Sequence, residues 1–423
     1  MSLNACELEI DLFCQGIRVP DEVSLEGARG ISRTRAGLGS GLEIRIPSRS
    51  WLKPALWVNV PVVEEFARRS PFVLAGSPES GYTIRDERDG IPYAVEIPRE
   101  PTWYRRLTSR DVPMNRIGVL QGTYLGIYVN PVCAFWHESP QLNCRFCTTG
   151  RNVGDAEVSE KALEDVIETC HAAKRESGIT FVHLNGGFQG GHGLAQIRPY
   201  VRAIKERVGL LVGVQLTPER DFGQYDELIA LGVDHLSFCL EFLDPEWFAR
   251  LCPGKARSLG QQLYFDAMAH CAGRLPRGAV SGEIIAGLEP IDATLEAIDR
   301  ITDLGAFPTV CIFRPTVGSD LEGWPPPRYE DMRRVMAHVY EACRRHWIPI
   351  GAAPNIEVSI VVNPDDTALL APRTPGFYSF ELYRRALRLA ARPRFRARMR
   401  PQSRRNPGTA APGPSSPSAA DAA

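Results

Sequence analysis

At 423 residues the chain exceeds what one ordinary core fills, so it requires a large barrel or two to three domains. Apolar content of 44% and charged content of 23% are those of a soluble globular protein, and no run approaches the roughly 20 apolar residues of a membrane span. The net charge of −1 hides a division: the ten arginines between 384 and 405 have no acid among them, leaving 39 bases against 50 acids elsewhere.

The opening Met1-Ser-Leu-Asn-Ala-Cys-Glu has neither a basic n-region nor an apolar h-region, so no secretory signal is expected. Eleven cysteines, an odd number scattered through apparent core, point to a reducing cytoplasm rather than a disulfide scaffold.

Residues 1–115 read as a mixed, strand-rich region without a catalytic motif. Leu42-Glu-Ile-Arg-Ile-Pro, Leu56-Trp-Val-Asn-Val-Pro, Gly81-Tyr-Thr-Ile-Arg and Tyr93-Ala-Val-Glu-Ile-Pro alternate between turn residues. From 116 to 365 the rhythm becomes strand then helix. The strand-like runs are 124–130, 179–185, 210–217, 233–242, 279–286 and 308–314. Between them, 159–175 carries Leu163, Val166, Ile167 and Cys170 on one face behind a capping Ser159, and 329–346 carries Met332, Val335, Met336, Val339 and Cys343. Repeated βα units imply a parallel sheet, open or closed into a barrel.

A parallel strand buried on both faces reads as continuous Val, Ile and Leu. Here one face is polar: His235, Ser237, Cys239 and Glu241 alternate with Leu236, Phe238, Leu240 and Phe242, and His183 and Gln215 alternate with Val182, Leu184, Val214 and Leu216. The pattern predicts an α/β fold, a partial (β/α)6 TIM-like barrel with a working cavity and chemistry at the C-terminal strand ends. Residues 366–400 read as a helical, Arg-rich extension, with its arginines solvated. Residues 401–423, ending in a Pro/Ala/Ser/Gly tract, read as a disordered basic tail.

The first strand runs into three cysteines, Cys133, Cys144 and Cys147. Three thiolates with a fourth position open suit either zinc or a [4Fe–4S] cluster. The other strand ends bring Gly186-Gly187-Phe-Gln, Thr217-Pro218, Glu241, Ser281-Gly-Glu-Ile-Ile-Ala-Gly-Leu-Glu289 and Arg314 to the same mouth.

With these motifs in this order, the chain resembles the radical S-adenosylmethionine (SAM) superfamily, in particular its biotin-synthase-like group and the hydrogenase-maturase relatives. Cys144-Arg-Phe146-Cys147 looks like the second half of the family's three-cysteine loop, and Gly186-Gly187 sits where the family holds the methionyl amino group. The 281–289 segment is similar to the one lying along the adenine. Val317-Gly-Ser-Asp-Leu with Pro325-Pro-Pro-Arg-Tyr-Glu-Asp is similar to the loop and helix after the sixth strand. The likeness covers roughly 120–345.

The resemblance implies a [4Fe–4S] cluster on Cys133, Cys144 and Cys147 whose open iron binds SAM. One-electron cleavage would then give a 5′-deoxyadenosyl radical that abstracts hydrogen from a small organic substrate in cofactor or natural-product biosynthesis. Phe146, Gly186, Gly187, Gln215, Glu241, Glu289 and Arg314 become the cofactor-binding candidates, and Glu241 and His183 the catalytic ones. Implied partners are the substrate and a one-electron donor such as flavodoxin or ferredoxin, with no membrane and no nucleic acid. Two departures stand out. Ten residues separate Cys133 from Cys144 where the family usually has three, with Pro140 where a cysteine is usual and His137 as a rival ligand. The second strand ends Gly-Gly-Phe rather than Gly-Gly-Glu, so Gln189 or Glu241 would serve the amino group.

Cys170, Cys271 and Cys343 fall on apolar helix stripes, and Cys6, Cys14 and Cys252 have no partner at ligand spacing. Cys239 and Cys311 face inward and could serve a second cluster or donate a thiol hydrogen. No cysteine follows Cys343, which favours a small-molecule substrate over a peptide. The alternatives are a non-catalytic barrel with a closed Cys₃His zinc site, and a radical SAM enzyme that modifies RNA through its arginine tail.

Overall fold

The structure, a computed structural model, describes residues 2–29, 31–33, 40–138 and 141–402. Pro140 and the expected disordered segment from 403 onward lie outside the described residues.

The chain begins with a helix the sequence reading missed, α1 (Ala5–Gln15). Asn4 accepts the amides of Cys6 and Glu7 at 3.0 and 3.1 Å, and the Glu7 carboxylate accepts the amide of Asn4 at 3.0 Å, a reciprocal cap. Cys6, Leu8, Ile10, Leu12, Phe13 and Cys14 are buried, and so are Glu9 and Asp11. A helix buried all round carries no clean apolar stripe, which is why the periodicity was silent. Strands β1 (Ile31–Arg33), β2 (Ser40–Pro47) and β3 (Ala55–Pro61) form one antiparallel sheet, and β4 (Phe72–Ser77), β5 (Gly81–Asp86) and β6 (Pro92–Val95) form another.

A seven-stranded sheet follows. The short β7 (Val119–Gln121) turns at Gly122 into β8 (Tyr124–Tyr128), and then come α2 (Thr149–Asn152), α3 (Leu163–Ser177), β9 (Phe181–Asn185), α4 (Gly193–Ala203) and β10 (Leu211–Gln215). Beyond these lie α5 (Gly223–Ala230), β11 (His235–Glu241), α6 (Pro245–Leu251), α7 (Pro253–Ser258), α8 (Gln261–Ala272), β12 (Val280–Ala286), α9 (Ile291–Asp303), β13 (Phe307–Ile312), α10 (Tyr329–Arg345) and α11 (Pro375–Arg398). Strands β8 to β13 lie side by side in sequence order and all parallel, with β7 antiparallel on the outer edge of β8. This is a curled, open half-barrel, the partial TIM-like form the βα rhythm predicts. One detail differs: α3 starts at Leu163 after Ala162, and Ser159 does not cap it.

Outward residues Val182, Leu184, Val212, Val214, Leu236, Phe238 and Leu240 pack into the main core with the stripe of α10. That core also contains Leu42, Ile44, Val58 and α1, so the N-terminal strands and the barrel share one apolar interior. Polar ties reinforce the join. The Glu43 carboxylate pairs with Arg29 and accepts the amide of Gly122, and Arg314, at the end of β13, donates to the Asn59 side chain of β3 at 3.2 Å.

At the N-terminal ends of the strands Tyr124, Phe181 and Leu211 form a separate apolar cluster with Ala353, Ile356, Val358, Phe395 and Met399. The segment 353–358 and the last turns of α11 therefore stop that end of the barrel. Among the described residues Arg385, Arg392, Arg394, Arg396 and Arg400 are exposed, as a solvated run requires, but three other C-terminal arginines are tied down. Buried Arg384 donates to the Ile350 carbonyl at 3.0 Å and to Glu381 at 2.6 Å, Arg388 to the Gly351 carbonyl at 2.7 Å, and Arg398 to the Gly232 carbonyl at 2.8 Å while pairing with Asp234. A chain ended after Gln402 is thus expected to unfold at the same urea midpoint as the full chain. One ended after Arg396 loses the Arg398 contacts and should be less stable by about 1–3 kcal/mol. Among the described residues, no helix is long and apolar enough to cross a membrane.

Candidate active site

The end of β8 and the end of β9 are fastened together before either meets the cysteines. The Ala134 amide donates to the Phe188 carbonyl at 2.9 Å, the rings of Phe135 and Phe188 stack at 4.4 Å, and Gln189 donates to the Pro131 carbonyl at 2.9 Å. The amide nitrogen of Gln189, a candidate for the amino group, is thereby taken by backbone carbonyls. Gly186 and Gly187 are glycines because nothing larger fits: a Cβ on the first would run into Asn130, and one on the second into Cys133 itself. Cys133 so rests directly on the glycine pair.

Cys144 and Cys147 follow in a tight turn, with the Cys147 amide donating to the Cys144 carbonyl at 3.1 Å. The three thiols lie within one another's electrostatic reach. Burial pushes Cys133 up to about 12, with Cys144 and Cys147 adding to the rise and amide hydrogen bonds opposing it. Burial also raises Cys147, against hydrogen bonds from Thr149 and Trp136. Cys144 goes the other way, held below the ordinary thiol value by a hydrogen bond from Cys252 and by the Lys255 ammonium. The three do not converge on one point: among the described residues, no three His, Cys, Asp or Glu side chains could hold a single metal ion. His137, the rival ligand, is exposed. Phe146, between the last two cysteines, packs edge-on to Phe242 at 5.9 Å.

Below the loop, the inward faces form a layered polar interior. Gln215 donates to the Cys239 sulfur at 3.0 Å and to Glu283, which also accepts from Ser237 at 2.5 Å and Cys239 at 3.2 Å. Burial raises the Glu283 carboxyl above the usual range, against the hydrogen bonds from Ser237 and Cys239. Cys311 lies in the same field, its thiol raised by burial and by Glu283 and Glu241. Glu283 lies on β12 inside the 281–289 segment, at the inward-facing parity of Ser281, the one signal that marks it in the sequence. Further down, His183 meets Tyr124, Phe181 and His235 at centroid distances of 6.2, 5.6 and 5.7 Å. The His183 Nε2, Asn185 Oδ1 and Gln121 Nε2 atoms are buried without a hydrogen-bond partner.

Burial pushes His183 down to about 3 and His235 to about 4. Both imidazoles stay neutral in the fold, whereas the unfolded chain protonates near 6.5. Stability present above pH 6.5 is therefore lost as pH falls toward 3, because the unfolded state binds protons the folded state refuses. His183→Gln should flatten this loss, by up to about 4–5 kcal/mol between those limits. Urea midpoints measured across that pH range check it. An unchanged slope sinks the assignment.

The remaining candidates separate into two groups. Glu241 stands at the mouth with φ of +74°, after a bulge in the β11–β12 pairing, and is ion-paired to Lys255 at 2.6 Å. Glu289 instead faces its own backbone: it accepts the amides of Leu243 and Asp244 at 2.9 and 2.8 Å, and burial brings its carboxyl up to about 7. Arg314 is buried against Asn59 and Glu64, bridging the barrel to the N-terminal strands. The structure thus places the cysteines, the glycine pair, Phe146, Gln215, Glu241 and His183 on the mouth and inward side of the sheet, and gives Glu289 and Arg314 intramolecular partners. Lys255, absent from the sequence candidates, joins the first group.

An open sheet of six parallel strands with its cysteine loop after the first is the build of a partial TIM-like barrel, and the chain is similar to the radical SAM enzymes. Among individual proteins, it is 28% identical over 119 residues to bacteriochlorophyllide c C-7(1)-hydroxylase of Chlorobaculum limnaeum, a match that covers 28% of this chain and 30% of the relative. Solved structures similar to it include methylornithine synthase PylB (TM-score 0.39, 19% identity, 51% of this chain and 60% of that one) and the FeFe-hydrogenase maturase HydG of Carboxydothermus hydrogenoformans (0.40, 16%, 52% and 50%). SuiB of Streptococcus suis bound to S-adenosylmethionine is a third (0.40, 14%, 52% and 47%). No family model matches the chain.

Proposed function

We propose that the chain is a radical SAM enzyme, with Cys133, Cys144 and Cys147 as ligands of a [4Fe–4S] cluster and the Gly186–Gly187 edge as the seat of the SAM amino group. The observation that carries this reading is the contact between Cys133 and Gly187, which sets the first thiol against the glycine edge at the barrel mouth. When bound, the cluster and SAM supply one-electron cleavage of a sulfonium bond and hence hydrogen-atom abstraction.

The chain's own residues supply position. Phe146, held against Phe242, offers a ring face to the adenine, and Gln215 and Glu241 offer polar atoms from the wall below. The unpartnered His183 Nε2 and Asn185 Oδ1 give a bound molecule an imidazole nitrogen and a carbonyl oxygen to hydrogen-bond between the strands. His183 acts there as a neutral hydrogen-bonding group, because burial keeps it from protonating at ordinary pH. A small organic substrate is the class favoured: the curated relative acts on a bacteriochlorophyllide, and the lower end of the barrel is stopped. Anaerobic reconstitution tests the proposal. About four iron per chain, a reduced-cluster EPR signal that shifts on adding SAM, and release of methionine are expected. Zinc with no iron uptake would sink it.

A further inference from the structure

Beyond the three proposed ligands, one more thiol lies against the cysteine loop. Helix α6 ends at Leu251 and α7 begins at Pro253, so Cys252 occupies the corner between them. Two backbone bonds pin that corner to the loop: the Arg145 amide donates to the Leu251 carbonyl at 2.9 Å, and the Gly254 amide donates to the Leu142 carbonyl at 3.0 Å. The fit is close enough to exclude a side chain at 254, where a Cβ would come within 2.5 Å of the Phe135 ring and 2.6 Å of the Leu142 carbonyl. With the backbone fixed on both sides, Cys252 is fully buried against the loop, its thiol in electrostatic contact with that of Cys144. The following turn carries Lys255, whose ammonium donates to the Cys239 carbonyl at 2.8 Å and to Glu241 at 2.6 Å.

We propose that Cys252 is a positioning residue for the cluster: its S–H donates to the Cys144 sulfur, fixes that ligand's direction and draws charge from it. This rests on the functional reading above. Hydrogen bonds to ligand sulfur spread its negative charge and favour the reduced, more negative state of the cluster, so they raise its reduction potential. The corner at 251–254 is then a second, non-ligating half of the site, contributed from more than a hundred residues downstream of the loop it supports.

The test compares reconstituted wild type, Cys252→Ala and Cys252→Ser by EPR-monitored redox titration. Equal iron content in all three is expected, with a lower potential in Cys252→Ala and most of the shift restored in Cys252→Ser, whose hydroxyl still donates. An unchanged potential in Cys252→Ala overturns the proposal and leaves Cys252 an ordinary core thiol. Iron loss in both variants overturns it in favour of Cys252 as a ligand. A separate arm uses metal-free wild type and diamide, a two-electron thiol oxidant that takes the hydrogens of two adjacent thiols. Peptide mapping should then find a Cys144–Cys252 disulfide. Iron uptake without that crosslink overturns the Cys252 contact alone, whereas the crosslink without iron uptake overturns the functional reading and the role of Cys252 with it.

Discussion

Replacing Cys133, Cys144 and Cys147 together by alanine is expected to abolish bound iron and SAM cleavage while leaving the barrel folded. The thiols sit in a loop above the sheet, and the loop's attachment does not depend on them: Phe135 stacks on Phe188, Arg145 bonds Leu251, and the Arg145–Asp320 ion pair closes at 3.1 Å. Circular dichroism should therefore match wild type while iron content falls to background. Within the series, Cys133→Ala is the informative single variant, since its ten-residue distance from Cys144 is the chain's main departure from the family pattern. Its contact with Gly187 predicts complete loss of a SAM-responsive cluster. A full cluster in that variant would show that another residue supplies the first ligand.

The second large effect lies at Lys255. Its side chain is 7% exposed and that of its partner Glu241 12%, and the two meet at 2.6 Å. Burial alone would lower the lysine pKa, but Glu241, with smaller contributions from Tyr264 and Cys144, holds it well above the ordinary value. Lys255→Met leaves the Glu241 carboxylate shut in without a counter-charge, which costs about 3–5 kcal/mol. The double variant Lys255→Met/Glu241→Gln should recover most of that loss, because it removes the stranded charge as well. Urea titration of the metal-free protein separates these outcomes. A Lys255→Met midpoint indistinguishable from wild type would mean that the pair is solvated and not part of the site's support. Glu241→Gln on its own should also slow SAM cleavage, if the carboxylate faces the cofactor from its bulged, left-handed position.

The elements visible in the sequence were those whose side chains repeat. Strands β8 to β13 alternate or run apolar over five to seven residues, and the stripe from Met332 to Cys343 marks α10 within a residue of its end. The inward polar face of His183, Gln215, Cys239 and Glu241 followed from period two alone. What stayed hidden has a physical cause in each case. Helix α1 is buried on every side and includes Glu9 and Asp11, so its apolar pattern is broken, although the Asn4/Glu7 cap was there to be read. Cys252 meets the cysteine loop from more than a hundred residues away in sequence, and Lys255 reaches back over α6 and α7 to Glu241 and the Cys239 carbonyl, meetings that no motif spacing encodes. Arg314 and Glu289 looked like ligands for a bound molecule because their strand-end positions were right. Their partners, Asn59 and the 243–244 amides, are tertiary facts.

The shared interior of α1 and the barrel has a bearing on biosynthesis. Glu7 bonds Arg333, and Lys53 lies between Glu357, Asp365 and Asp366, so early residues of the chain close against partners some three hundred positions further on. At about 5–20 residues per second, α10 emerges roughly 15–65 s after α1. During that interval α1 has β2 and β3 to pack against, but the face that α10 covers stays open. Nascent chains arrested before about residue 330 should consequently bind holding chaperones through this open face of α1, and release them once α10 has emerged.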